Sequence, residues 1–191
     1  MKGRAPLTAT TQVILVRHGE TDWNREGRFL GRSDIPMNKE GERQAEAIAR
    51  ALLLVGFSHV YASPLQRAYR TATTIAEVSR VGGVVLDHRW NERDYGPLEG
   101  LTFDDAEKRF PRPRSGVESR ASVQLRTGEA LAAIRDAHTH QTVVVVTHGT
   151  VMHVLAESIS GKGQARPANG STLTLLSTAG GWRLDSQQEV S

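Results

Sequence analysis

Two apolar runs each end in a histidine followed by a glycine. One is Val13-Ile14-Leu15-Val16-Arg17-His18-Gly19 and the other is Val143-Val144-Val145-Val146-Thr147-His148-Gly149. Continuous β-branched runs of this kind suit strands buried on both faces. If the two strands lie parallel in one sheet, both histidines emerge at its carboxyl edge, where open α/β sheets bind ligands. An imidazole with one nitrogen bonded has a fixed tautomer and a free lone pair on the other. Beside an arginine, whose planar fork matches phosphate oxygens, such a ring can attack phosphorus.

The rest of the chain has to position those two ends. Val13–Val16, Val60–Ala62, Val84–Leu86 and Thr142–Thr147 read as strands. Thr172–Ser177 and Trp182–Asp185 read as a terminal hairpin around Gly180-Gly181. Between them fall helical patterns. One is capped by Asn38, carries Ala45, Ile48, Ala49, Leu52 and Leu53 on one face, and is stopped by Gly56. A second opens at Ser63-Pro64, with Pro64 in the first helical position, and runs to about Ser79. Further helices are expected over Thr102–Phe110, Ser119–His138 and Thr150–Ser160. Gly19–Met37 is a long polar loop, and loops of that length in compact domains are usually functional. Pro111–Gly116 is a break. Alternating strands and helices give an α/β class with a mostly parallel sheet.

Composition removes several alternatives. The 191 residues suit one domain over 13–191, preceded by a flexible tail over 1–12. With 38% hydrophobic and 24% charged residues the chain is expected to fold. The absence of cysteine excludes thiol catalysis and thiolate metal sites. The amino-terminal stretch has no apolar core of a secretory signal, and no apolar run is long enough to span a membrane, so a cytoplasmic protein is expected. A formal charge of +3 and only 5% aromatics argue against nucleic acid as a partner. No Asp/Glu cluster has magnesium or calcium spacing, so neither metal nor cofactor is expected. The remaining histidines, His59, His88, His138, His140 and His153, read as structural or surface groups.

Four motifs together carry a resemblance. Arg17-His18-Gly19-Glu20-Thr21-Asp22-Trp23-Asn24 resembles the signature of the histidine phosphatase superfamily, which includes the cofactor-dependent phosphoglycerate mutases. Ala62-Ser63-Pro64-Leu65-Gln66-Arg67-Ala68 is similar to its second arginine motif. Asn91-Glu92-Arg93-Asp94-Tyr95-Gly96-Pro97-Leu98-Glu99-Gly100 is similar to its acidic loop, and Val146-Thr147-His148-Gly149 to its second histidine motif. The resemblance implies a three-layer α/β/α sandwich of phosphoglycerate mutase type. It implies His18 as nucleophile, Arg17, Arg67 and protonated His148 as clamps on the phosphoryl oxygens, and Asn24 as a neutral donor. Leu30, Gly31, Tyr95 and Gly149 complete the expected substrate-binding set. Composition alone does not choose among Glu92, Asp94 and Glu99 as general acid; the resemblance implies Glu92. Glu20 is expected to be structural.

The family contains both phosphatases and mutases, so the fold does not fix the reaction. The acidic loop resembles the mutase version. Against it, Phe103 stands where the mutases' substrate lysine is expected, the stretch from Gly100 to Ser119 lacks their inserted segment, and the carboxyl-terminal tail is short. A mutase must shield phosphohistidine from water. A metal-independent phosphatase of small phosphorylated metabolites is therefore expected. The alternatives are a 2,3-bisphosphoglycerate-dependent mutase and a non-catalytic phospholigand-binding protein. Leu30 replaces the usual Thr or Gln; it either suits a more apolar leaving group at the expense of phosphate binding or simply packs. Arg109, Arg112 and Arg114 either bind a second anionic group or form a solvated basic loop. A homodimer is a candidate assembly.

Overall fold

The computed structural model describes residues 10–110 and 115–189. The two histidine-bearing strands, β1 (Gln12–Arg17) and β4 (Thr142–Thr147), lie side by side and parallel, in register from Gln12–Thr142 to Arg17–Thr147. Beyond β4 come β2 (His59–Ala62) and β3 (Val84–Leu86), also parallel. Beyond β1 the hairpin of β5 (Ser171–Thr178) and β6 (Gly181–Glu189) joins antiparallel. Among the described residues the sheet is thus six-stranded, in the order β3-β2-β4-β1-β5-β6.

Strand alternation divides the core into two layers. Ile14, Val16, Val60, Ala62, Val144 and Val146 face α2 (Lys39–Leu52) and α3 (Gln66–Ser79). Val13, Leu15, Val143 and Val145 face α5 (Arg120–Ala137) and α6 (Gly149–Ser160). Helices on both faces make the three-layer sandwich. A smaller cluster of Tyr95, Leu98 and Ala106 lies under α4 (Phe103–Arg109), packed with Phe29 and Leu101. No helix among the described residues is long and apolar enough to cross a membrane.

Three expectations need correction. The Gly19–Met37 stretch is not all loop: Asp22–Arg25 forms a short helix, α1, closed by a capping box between Thr21 and Asn24. The second long helix, α3, begins at Gln66 rather than Pro64, because Leu65 is extended at φ −63°, ψ 132°. The Gln66 amide donates to Asp34 Oδ1 at 2.7 Å, so the cap comes from a distant loop. The tail does not reach residue 12: Thr11 is buried, its amide donates to Ser177 Oγ at 2.7 Å, and Gln12 opens β1. Residues 1–9, Arg112 and Arg114 lie outside the described residues.

Candidate active site

His18 leaves the end of β1, and its amide donates to Thr147 O at 3.1 Å, joining the ends of the two central strands. Its Nδ1 lies 2.8 Å from Gly19 O. A carbonyl can only accept, so Nδ1 carries the hydrogen and Nε2 keeps its lone pair. His148 precedes α6, and its ring faces that of His18 with centroids 5.0 Å apart and planes at 61°. Both histidines are buried.

Two arginines flank them. Arg17 Nη1 donates to Pro167 O at 2.6 Å. Gly149 leaves room for this guanidinium, since a Cβ there would stand 3.2 Å from Arg17 Cζ. Arg67, in the first turn of α3, is fully buried and donates to Ser33 O and Gly31 O, each at 2.8 Å. Gly31 serves that contact from a left-handed backbone (φ +55°), where a side chain would collide with the Glu99 carboxylate. Arg17 Nε, Arg67 Nε and both ring nitrogens of His148 are buried without a protein partner among the described residues. Buried donors of that kind are costly unless something accepts from them.

Burial and mutual repulsion set the charge states. Burial lowers Arg17 and takes Arg67 down to about 10, although Glu92 opposes both shifts. Burial, then Arg67 and Arg17, push His18 well below the usual histidine range. His148 is displaced the same way by burial, Arg67 and His18. Both imidazoles are therefore neutral near pH 7. The protonated His148 implied by the family resemblance does not belong to the chain by itself; it requires an anion between the rings and the arginines.

The acidic loop supplies the opposite wall. Of its three carboxylates, Glu99 is committed to structure: it accepts from the amides of Arg32 and Ser33 at 2.8 Å and from Ser33 Oγ at 2.6 Å. Asp94 accepts from the Gly96 amide at 2.8 Å. Glu92 lines the cavity, accepting from the Arg93 amide at 2.7 Å and the Thr150 amide at 3.2 Å. The second bond places it at the positive N-terminal end of α6. The Tyr95 hydroxyl pairs with Thr150 Oγ1 at 2.7 Å on the same wall, and burial raises its pKa.

Asn24 is aimed by its neighbours. Its Oδ1 accepts from Thr21 N and Asn169 Nδ2, both at 3.2 Å, which turns Nδ2 away as the donor. Leu30 is buried and lines the cavity, so it packs and shapes the site at once. Phe29 and Phe103, edge to face at 4.9 Å, extend that apolar wall. Glu20 accepts from Asn38 Nδ2 at 2.8 Å and so supports the cap of α2, a structural role.

The structure brings all ten predicted site residues to the carboxyl edge of the sheet. Arg17, Asn24, Leu30, Gly31, Glu92, Tyr95 and Gly149 line one cavity, and His18, Arg67 and His148 are buried beside it. Sequence reasoning missed three contributors. Asn169 donates to His18 O at 3.0 Å as well as to Asn24. Arg166 lines the cavity mouth. Arg126 holds the Glu92 loop from α5. An Asn-Gly turn signal at Asn169-Gly170 was available for the first; the other two had none.

A mostly parallel α/β sheet whose central strands present facing buried histidines flanked by two arginines is the architecture on which the comparisons bear. The chain belongs to the histidine phosphatase superfamily (branch 1), which it matches over residues 13–189. It is 38% identical over 152 residues to an uncharacterized phosphatase, PhoE, of Bacillus subtilis, covering 79% of this chain and 78% of that one. It is 37% identical over 162 residues to a probable phosphoglycerate mutase, GpmB, of Cronobacter sakazakii, covering 78% and 75%. Among solved structures it resembles Bacillus stearothermophilus YhfR, with a TM-score of 0.88 and 28% identity over 95% of this chain and 98% of that one.

Proposed function

We propose that the chain is a metal-independent phosphomonoesterase that hydrolyses small phosphorylated metabolites through a phosphohistidine on His18. The observation that carries this reading is the tautomer: Nδ1 is spent on Gly19 O, leaving Nε2 as a neutral nucleophile beside two arginines and His148. In the first step Nε2 forms a bond to phosphorus as the ester P–O bond breaks, and the Glu92 carboxyl proton goes to the leaving oxygen. In the second, water attacks phosphorus, its proton passes to the Glu92 carboxylate, and the P–N bond breaks to release phosphate. Arg17, Arg67, protonated His148 and Asn24 Nδ2 stabilise charge on the equatorial oxygens. An entering dianion favours uptake of a solvent proton by His148, offsetting the burial and the repulsion from Arg67 that keep the ring neutral. Since these groups supply the positive charge, no metal is required.

Hydrolysis is favoured over phosphate return by the wall of Phe29, Leu30 and Phe103. It offers no donor to hold a phosphorylated product for a second transfer. Similarity to GpmB keeps the mutase reading as the alternative. The test is incubation in EDTA with 3-phosphoglycerate and a trace of 2,3-bisphosphoglycerate, followed by phosphorus NMR, with His18→Ala as control. Inorganic phosphate from the intact protein alone supports the phosphatase. Rapid 2-phosphoglycerate with little free phosphate makes it a mutase.

A further inference from the structure

Arg126, on the second turn of α5, reaches across to the loop that carries Glu92. Its Nη1 donates to Arg89 O at 2.6 Å, and its Nη2 donates to Glu92 O at 3.3 Å. The same guanidinium grips Glu118 through Nε to Oε1 at 2.8 Å and Nη2 to Oε2 at 3.1 Å. Glu118 in turn accepts from the Asp94 amide at 3.0 Å and from Ser122 Oγ at 3.0 Å. Arg93 Nε donates to the Glu118 carbonyl, and the Glu118 amide to Asp94 O at 2.8 Å. One largely buried ion pair thus satisfies the backbone of the acidic loop on both sides of Glu92. Only a rigid planar fork can serve two carbonyls and a carboxylate together.

We infer that Arg126, locked by Glu118, is the positioning residue for Glu92. Its own side chain does not line the cavity; it reaches Glu92 through the loop backbone, and its charge also helps to keep His148 neutral. Thr147 Oγ1 fixes the neighbouring Trp90 carbonyl at 2.8 Å, and the Thr150 amide fixes the carboxylate. Arg126 supplies the remaining tie, at the Glu92 carbonyl itself. Small displacements of an acid cost rate steeply, because proton transfer requires hydrogen-bond reach in the transition state. This inference rests on Glu92 being the general acid.

The cost should depend on the leaving group. A nitrophenolate departs without help, whereas an alkoxide must be protonated as the bond breaks. The experiment measures kcat/KM for a series of substituted phenyl phosphates and one alkyl phosphate with wild type, Glu92→Gln, Arg126→Met, Arg126→Lys and Glu118→Gln. Arg126→Met should lose roughly 10-fold more on the alkyl ester than on 4-nitrophenyl phosphate, within the span of general-acid effects. It should steepen the leaving-group dependence in the direction of Glu92→Gln. Arg126→Lys and Glu118→Gln should show the same trend with smaller losses. If Arg126→Met does not fold, these two milder variants decide the matter. A steepened Glu92→Gln series with parallel, unsteepened Arg126 and Glu118 series would overturn the inference. An unsteepened Glu92→Gln series would instead remove the acid role on which it rests, and the inference with it.

Discussion

The Arg17 guanidinium lies so close over Gly149 that a Cβ on residue 149 would stand 3.2 Å from both Nε and Cζ. The glycine after the second histidine therefore makes space for the arginine before the first. The two motifs interlock across paired strands, since Arg17 lies opposite Thr147. Gly149→Ala should displace the guanidinium by a few tenths of an ångström without harming the start of α6, where alanine is a better helix former. The expected result is unchanged thermal stability with kcat/KM reduced by up to about 100-fold. A variant as active as wild type would show that Arg17 does not need this seat.

Arg67 offers a sharper case, because its two bonds to Ser33 O and Gly31 O tie α3 to the turn that carries Leu30. Arg67→Lys keeps the charge but cannot span both carbonyls. We expect kcat to fall by about 100- to 1,000-fold, the usual cost of one lost oxyanion donor. Steady-state kinetics on 4-nitrophenyl phosphate would check it, and a loss below 10-fold would mean that charge alone suffices.

Most of this arrangement was legible in the chain, for identifiable reasons. β1 and β4 are uninterrupted apolar runs, and each histidine follows its strand directly, so a local pattern fixed both position and direction. Asn38 announced α2 because its cap bond spans only three residues, to the Gly41 amide. Two of the misses are long-range. Asp34 caps α3 from a loop 32 residues earlier, which moved the helix start past Pro64. Arg126 meets Glu92 at a separation of 34 residues and looked like any other arginine on a helix. α1 was lost because four residues present no hydrophobic period, although Thr21 and Asn24 supply its cap.

The buried histidines make stability depend on pH. His18 and His148 bind protons less readily folded than unfolded, since burial lowers both. Just below the ordinary value of 6.5 the unfolded chain binds more protons, so stability is lost as pH falls. Each histidine adds a slope of up to about 1.4 kcal/mol per pH unit. Denaturant melts between pH 7.5 and 5.5 should show this loss, and His148→Gln should make it shallower by about one proton. Inorganic phosphate should offset it by binding the protonated form. An identical slope in the variant would mean that His148 is accessible enough to titrate normally.

Leu30 continues an apolar wall with Phe29 and Phe103. Leu30→Thr should therefore favour polar esters over aromatic ones. The ratio of kcat/KM for 1-naphthyl phosphate to that for glycerol phosphate should fall by about 5- to 150-fold, in line with about 1–3 kcal/mol for a lost apolar contact. An unchanged ratio would mean that Leu30 only packs.

Arg166 decides whether that apolar mouth also reads charge. It is exposed at the rim, lines the cavity, and forms no ion pair among the described residues. Its field reaches inward, since it contributes to lowering Arg17. Arg28, the other rim cation, is committed to Glu26 at 2.6 Å and to Gly100 O at 2.7 Å. Arg109, at the end of α4, does not line the cavity at all. Among the described residues, Arg166 is therefore the rim cation that a second anionic group on a substrate would meet. Because it stands exposed at the rim and is not one of the groups assigned to the phosphoryl oxygens, its loss should weaken ground-state and transition-state binding alike and appear in KM rather than kcat. Arg166→Ala should raise KM about 2- to 5-fold for phosphate esters bearing a carboxylate, the scale of a partly exposed ion pair. It should leave phenyl phosphate unaffected. Equal effects on both substrates would assign Arg166 to the phosphoryl group itself, and no effect on either would make it a solvated surface charge.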